Sequence, residues 1–349
     1  MSEIDDIAAR VLPRYGLSGA SVRPFGGGLI NRTYLVEAGP LRRILQWVNP
    51  IFPAGIQKNL SAVTAHLEAA GLVTPRLVPT LEGQSCLPLG ERDVWRLQTF
   101  VEGSSFDVVS SPAQARAGGR LIGRFHAALA SLSHEFVALR VGVHDTPRHL
   151  ERLEDAARTL STHRLHAEVA PLADEVLRAA EALPRLPQIP DMTGHGDLKF
   201  NNLLFAGAAP PLSEQALCLI DLDTVGPVAL AFELGDAWRS WCNRSGEDVT
   251  GARLDLDVMR ASFEGWGEGL GRAPTDDERR ALLLGPDWVS LELSARFLGD
   301  ALREAYFGWD PARFAGRGEH NLVRACGQLS LYHAFLASRG ERARLLGTW

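Results

Sequence analysis

Midway along this chain a short mixed block interrupts long helical stretches, and it limits the fold more than any other segment. The block begins Gly194-His195-Gly196-Asp197-Leu198-Lys199-Phe200-Asn201-Asn202-Leu203-Leu204-Phe205 and continues, after a turn, as Leu217-Cys218-Leu219-Ile220-Asp221-Leu222-Asp223-Thr224. Asp197 and Asn202 are five apart on a loop, and an apolar strand follows at once. A second apolar strand, Ala216 to Ile220, ends at Asp221. Two short strands joined by a turn pair as a hairpin. That pairing carries Asp221 back beside the loop that holds Asp197 and Asn202. Three oxygen-bearing side chains then converge at one edge, a donor set suited to Mg2+ and to phosphate chemistry.

The surrounding patterns place this block in the second of two unlike regions. Residues 1–100 read as strands with one helix. Ser21 to Phe25 leads into Gly26-Gly27-Gly28, and Thr33–Val36 and Arg43–Val48 follow as β-like runs. Helical periodicity runs from about Ile56 to Ala70 and stops at Gly71. Leu77–Val78 and Val94–Thr99 complete a small antiparallel sheet, and Phe100 to Ser105 reads as a connector. Beyond residue 112 the chain is helical: Gln114–Leu132, Leu150–Leu183 with a break near 161–163, Asp255–Gly265, Asp287–Phe307 and Glu319–Arg339. The expected class is therefore α+β, with a β-rich lobe over 1–100 and a mainly helical lobe over 101–349.

Charge and composition narrow the function. A net charge of −6 leaves no basic surplus for a nucleic-acid backbone. Lys58 and Lys199 are the only lysines, so any chemistry requiring lysine has two candidates. Cys86, Cys218, Cys242 and Cys326 form no Cys-x-x-Cys pair and lie at no zinc-ligand spacing from histidine, which reads as reduced thiols. No secretory h-region and no stretch of about 18 apolar residues is visible. A cytoplasmic protein without a membrane or nucleic-acid partner, monomeric or weakly dimeric, is expected.

The loop block resembles the catalytic loop and metal-binding segment of the protein-kinase-like phosphotransferases. There, His-x-Asp is followed by Asn five residues after the Asp, then by an apolar strand ending in a metal-binding Asp. The His195-Gly196-Asp197 and Ile220-Asp221 wording is similar to the aminoglycoside phosphotransferase group. Further patches resemble the N-acetylhexosamine 1-kinases: Ile30–Val36, Ile44-Leu45-Gln46, Asp197–Asn202, Ile220–Val225, Gly235–Ser240, Leu291–Asp300 and His320-Asn321-Leu322. The resemblance implies a two-lobed kinase using ATP or another nucleoside triphosphate with Mg2+. Its acceptor would be a small molecule, in the closest reading the anomeric hydroxyl of an N-acetylhexosamine or related sugar. Aminoglycoside, choline and homoserine remain alternatives, as does an inactive kinase-like binding protein. A dehalogenase-like phosphatase, prompted by Asp221-x-Asp223, lacks the later lysine that chemistry requires.

The resemblance also implies roles. Asp197 orients or deprotonates the acceptor hydroxyl, and Asn202 and Asp221 hold the metal. Gly26, Gly27 and Gly28 let backbone approach the phosphates, with Asn31, Gln46 and Lys199 also on the nucleotide side. Gln98, Phe100 and Val101 form the hinge facing the base. Asp223, Arg239, Arg296 and Asp300 are candidates for acceptor contacts, with Trp238, Trp241, Tyr306 and His320 completing the polar and aromatic mix a sugar pocket needs. For Asp223 a second metal site or a cap stays open, and for the arginines surface ion pairs stay open. Lys199 either reaches a phosphate or is solvated. His195 and Asp236 read as structural, Asp236 as an anchor for the loop. Two features depart from the kinase pattern. Gln46 stands where a third-strand lysine is usual, leaving Arg42, Arg43 or Lys58 as substitutes, and Glu233 stands where related chains carry Asp.

Overall fold

The computed structural model describes residues 3–26, 30–139 and 142–348. Gly27 and Gly28 lie outside the described residues. A one-turn helix, α1 (Glu3–Asp6), and two further helical turns over 7–15 precede the sheet, where only strands were expected. Those turns carry Ile7, Val11, Leu12 and Tyr15, which close over one sheet face.

The sheet comprises β1 (Ser21–Pro24), β2 (Arg32–Ala38), β3 (Leu41–Val48), β4 (Leu77–Val78), β5 (Leu87–Gly90) and β6 (Asp93–Thr99). Every pairing is antiparallel, in the order β1-β2-β3-β6-β4 with β5 also on β6. Strand alternation sorts the two faces. Tyr34, Val36, Leu45, Trp95 and Leu97 pack under the N-terminal turns. Val48 and Val94 point the other way, against Ile56 of α2 (Ile56–Ala69). Arg96 shares that second face by parity, so a charged side chain is driven into the interior between sheet and helices.

The C-terminal region is helical: α3 (Pro112–Leu129), α4 (Thr146–Thr159), α5 (His166–Glu181), α6 (Leu230–Trp241), α7 (Leu256–Leu270), α8 (Asp276–Arg303), α9 (Arg317–Ala337) and α10 (Arg339–Leu346). One core joins α2, α3, α6 and α7 to the mixed block, and a second joins α4, α5, α8 and α9. Glycines let α3 and α7 touch: a Cβ on Gly119 or Gly265 would lie 2.1 Å from a backbone carbonyl of the facing helix. Helix α8 begins eleven residues before the expected start at Asp287. Thr275 caps it with Glu278 in a reciprocal box, and Pro286 is accommodated inside the helix rather than starting it. No helix among the described residues is long and apolar enough to cross a membrane.

Candidate active site

The mixed block folds as two ribbons. Strands β7 (Met192–Gly194) and β10 (Gly226–Val228) pair, and β8 (Leu203–Phe205) and β9 (Ala216–Leu219) form the expected hairpin. Leu203 faces Leu219, and the Ile220 N–H donates to the Asn202 carbonyl at 2.9 Å. This register leaves Asp221 as the next residue beyond the pairing, beside Asn202. Asp221 is held at φ 61°, ψ 52°. A left-handed non-glycine residue stores strain that surrounding contacts must sustain, and such positions cluster at functional sites.

Glu233, in the first turn of α6, fastens the loop. Its two carboxylate oxygens accept the backbone N–H groups of His195 at 2.7 Å and Gly196 at 2.9 Å. His126 of α3 contacts the same carboxylate at 3.1 Å and is itself held by Trp266 of α7 at 3.0 Å. Burial pushes the Glu233 carboxyl up, but its bonds to His126 and His195 outweigh that and hold it below the usual range. The anchoring role expected of Asp236 thus falls to Glu233. His195 turns its imidazole to the Ile220 carbonyl at 2.8 Å, tying the loop to the hairpin. Gly196 sits at φ 77°, where a Cβ would meet the Thr224 carbonyl at 2.7 Å. Trp241 donates to the Leu198 carbonyl at 2.8 Å, and Phe200 packs edge-on against its ring.

Asp197, Asn202 and Lys199 come together on this loop. Asn202 donates to the Asp197 carbonyl at 2.8 Å and to its carboxylate at 3.4 Å, which leaves the Asn202 amide oxygen as its available ligand atom. The Lys199 ammonium lies 3.0 Å from Asp197 Oδ1. Burial lowers the Lys199 pKa, but Asp197 and Asp236 more than compensate and hold the ammonium above its ordinary value. Asp221 is exposed at one side yet ringed by protein on the others. Burial first, then the Asp223 and Asp197 carboxylates, push it up to about 6. A carboxylate resisting ionisation beside two others marks surplus negative charge. With the Asn202 amide oxygen, this donor chemistry fits a hard divalent cation.

Several sequence candidates are engaged elsewhere. Asp223 is not offered to an acceptor: Arg96 binds both of its oxygens, one at 2.9 Å, and Asn31 donates to it at 2.6 Å. Asn31, read as a nucleotide contact, joins the lobes instead, its amide oxygen taking the Asn49 N–H at 2.9 Å. Gln46 accepts from Arg96 at 2.9 and 2.7 Å and donates to Thr33 at 3.1 Å, so it is occupied within the sheet. Asp300 caps the C-terminal turn of α8, receiving the N–H groups of Ala305, Tyr306 and Phe307 and the Asn321 amide. Arg239 is buried against Asp236 at 2.7 Å and Glu247 at 3.3 Å. Trp238 and Trp241 are core residues rather than a sugar-facing wall. His320 is buried against Asp248 at 3.3 Å. Arg296 remains beside a cavity between α4 and α8. At the connector, Phe100 stacks beneath Arg42 and meets Phe25 edge-on, while Ser104 pairs with Phe205.

Arg96 is the residue sequence reasoning missed. The cation buried against the Asp221–Asp223 segment comes from β6, not from β3 or α2: Arg42 pairs with Glu102, Arg43 bonds the Arg42 carbonyl and Lys58 is exposed. The available signal was a single arginine in an otherwise apolar run, Val94-Trp95-Arg96-Leu97.

Comparison with known proteins bears on the family and the fold. The family model described as a phosphotransferase enzyme family (APH) matches residues 21–280. Among solved structures, the chain is similar to an amicoumacin kinase in complex with AMP-PNP, Ca2+ and Ami, at 14% identity and a TM-score of 0.64, covering 95% of this chain and 94% of that one. It is similar to a microcompartment-associated aminopropanol kinase, at 19% identity and a TM-score of 0.63, covering 96% and 98%. An aminoglycoside phosphotransferase from Alicyclobacillus acidocaldarius matches at 17% identity and a TM-score of 0.62, covering 96% and 95%.

Proposed function

The chain belongs to the phosphotransferase enzyme family and is a small-molecule kinase, and from that premise we propose that it transfers the γ-phosphate of ATP, with Mg2+, to a sugar hydroxyl. The observation carrying the chemistry is the meeting of Asp197, Asn202 and Asp221 at the end of one hairpin. The similar amicoumacin kinase was solved with AMP-PNP and Ca2+, in keeping with a nucleotide and a divalent ion here.

In this reading, nucleotide lies between the sheet and the helices, against the connector of Gln98, Phe100 and Val101. Asp197 orients the acceptor hydroxyl and takes its proton, and the Lys199 ammonium stands ready beside the transferring phosphoryl. The Asn202 amide oxygen and the Asp221 carboxylate would hold Mg2+, which neutralises phosphate charge when bound. Such catalysis is positioning plus charge compensation.

One observation favours a non-cationic acceptor. Around the cavity between α4 and α8, Arg148, Arg152, Arg296 and Arg303 outnumber the one lining carboxylate among the described residues, Asp300, which disfavours polyamines. An N-acetylhexosamine, phosphorylated at its anomeric hydroxyl, is the reading favoured by the sequence resemblance. With ATP and Mg2+, a panel of N-acetylglucosamine, N-acetylgalactosamine, glucose, choline, homoserine and kanamycin is expected to yield a sugar 1-phosphate as main product. Kanamycin or choline turning over far faster than every sugar would overturn the sugar reading.

The metal assignment predicts a pH effect. The folded pKa of Asp221 lies above its unfolded value of 3.8, so the metal-free fold is favoured with the proton on. Stability is lost as pH rises from about 4 to about 6. A cation must displace that proton, so the Mg2+ concentration for half-maximal activity rises as pH falls through about 6. Asp221→Asn removes the repulsion: activity falls by about 10²–10³, while the metal-free melting temperature above pH 7 holds or rises. A clear drop in that melting temperature sinks the surplus-charge account.

A further inference from the structure

Helices α4 and α8 enclose a cavity of about 170 Å³ that shares no lining residue with the Asp197, Asn202 and Asp221 cluster. It is far larger than a single ordered water needs. Its wall is rich in basic side chains: Arg148, Arg152 and the imidazole of His149 come from α4, and Arg296 and Arg303 from α8.

The carboxylates nearby do not balance this charge. Asp300, the only carboxylate among the described residues lining the cavity, has both oxygens committed to three backbone N–H groups and to Asn321. Glu292 stands 4.0 Å from Arg296, but its oxygens already serve His144 at 3.1 Å and Thr146 at 2.5 Å. Arg303 alone has a close partner, Asp155 at 2.8 Å. Arg148 and Arg152 have no carboxylate partner among the described residues. His149 donates Nε2 to the Val143 carbonyl at 3.0 Å, and burial holds its pKa below the ordinary value, with Arg296 and Arg152 acting in the same direction. Guanidinium groups gathered around a cavity repel one another and attract any group that can accept several N–H bonds at once.

We propose that this pocket binds the phosphate or carboxylate group of a small molecule. The geometry suits such a group because arginine forks match planar or tetrahedral oxyanions in bidentate fashion, and Phe307 supplies an apolar floor beneath Arg296, whose guanidinium carbon lies 5.5 Å from its ring centre. The pocket is linked to α6 by its own backbone. Gly142 and Val143 line it, and the next residue, His144, stacks on Phe232 of α6 at 4.7 Å and acts electrostatically on Asp236. The bound anion is therefore either a substituent of the acceptor itself or a separate small-molecule effector. Only the acceptor alternative rests on the kinase reading given above.

The test starts with the full chain, free of nucleotide and metal, titrated calorimetrically with inorganic phosphate. The comparison is the double variant Arg148→Ala/Arg152→Ala, both positions being exposed on α4. One phosphate is expected to bind the wild type, to persist under saturating AMP-PNP and Mg2+, and to bind at least tenfold more weakly in the variant. Equal binding in both proteins, loss of phosphate on adding AMP-PNP, or no binding at all overturns the proposal. The source is then separated kinetically with glucose and glucuronate as acceptors. A KM for glucuronate that rises at least tenfold in the variant, with the glucose KM unchanged, identifies the acceptor's own anion. A change in glucose turnover with added phosphate, absent in the variant, identifies an effector. If no sugar is phosphorylated, the titration still decides the pocket while the sugar reading fails by itself.

Discussion

Asp197→Asn is expected to lower kcat by about 10²–10⁴, the span associated with loss of a positioned acid or base. The amide is nearly isosteric with the carboxylate, and the Asn202 bond to the Asp197 backbone carbonyl is untouched. Loop geometry is otherwise set from outside, by Glu233 on the His195 and Gly196 N–H groups and by Trp241 on the Leu198 carbonyl. Nucleotide affinity and melting temperature should therefore stay near wild type while transfer collapses. What disappears is a group able to accept the acceptor's proton, together with the ion pair to Lys199. Turnover within tenfold of wild type, measured with saturating nucleotide and acceptor, would remove Asp197 from that role.

The largest effect on stability is expected at Arg96. Arg96 and Asp223 expose 1% and 2% of their side chains, and Gln46 accepts two further bonds from the same guanidinium. Removing one partner of a buried ion pair leaves an uncompensated charge, which costs about 3–5 kcal/mol. Arg96→Met should lower the urea midpoint accordingly, because the methionine fills much of the volume and replaces none of the donors. Asp223→Leu in the same background should recover part of the loss, and the double-mutant cycle should show a coupling of roughly 2 kcal/mol. A strictly additive cycle would show that the pair does not act as a unit. Because Arg96 lies on the sheet and Asp223 two residues past Asp221, the single variant should also raise the Mg2+ requirement. A stability loss with normal metal dependence would separate the two effects.

Much of the site was legible because its distances along the chain are short. Asp197 and Asn202 lie on one loop, and the hairpin register that returns Asp221 follows from two apolar strands and a turn. Helices were legible wherever an apolar stripe was bounded by a cap or a glycine, as for α2 before Gly71. Failures came where a local signal pointed the wrong way. A helix was expected from Asp287, yet the Thr275–Glu278 box upstream sets the true beginning of α8. Asp223, Asp300 and Arg239 looked available as polar residues near the site, but each has its bonding capacity taken by partners the local pattern does not reveal.

The amino-acid sequence by itself determined the class of fold, the residues grouped at the hairpin end and the phosphotransferase family. The first two follow from periodicity and from spacings of a few residues, which backbone geometry converts into position almost without alternatives, and the family follows from the resemblance carried by His195-Gly196-Asp197, Asn202 and Ile220-Asp221. Only the tertiary structure decided which groups hold that cluster. Arg96 reaches Asp223 across 127 residues, Glu233 reaches His195 across 38, and the arginines of α4 and α8 meet around one cavity. No local rule selects such partners. They are chosen when the sheet's second face and the helices close on one another, and every buried charge must then find a counterpart or be left to bind one.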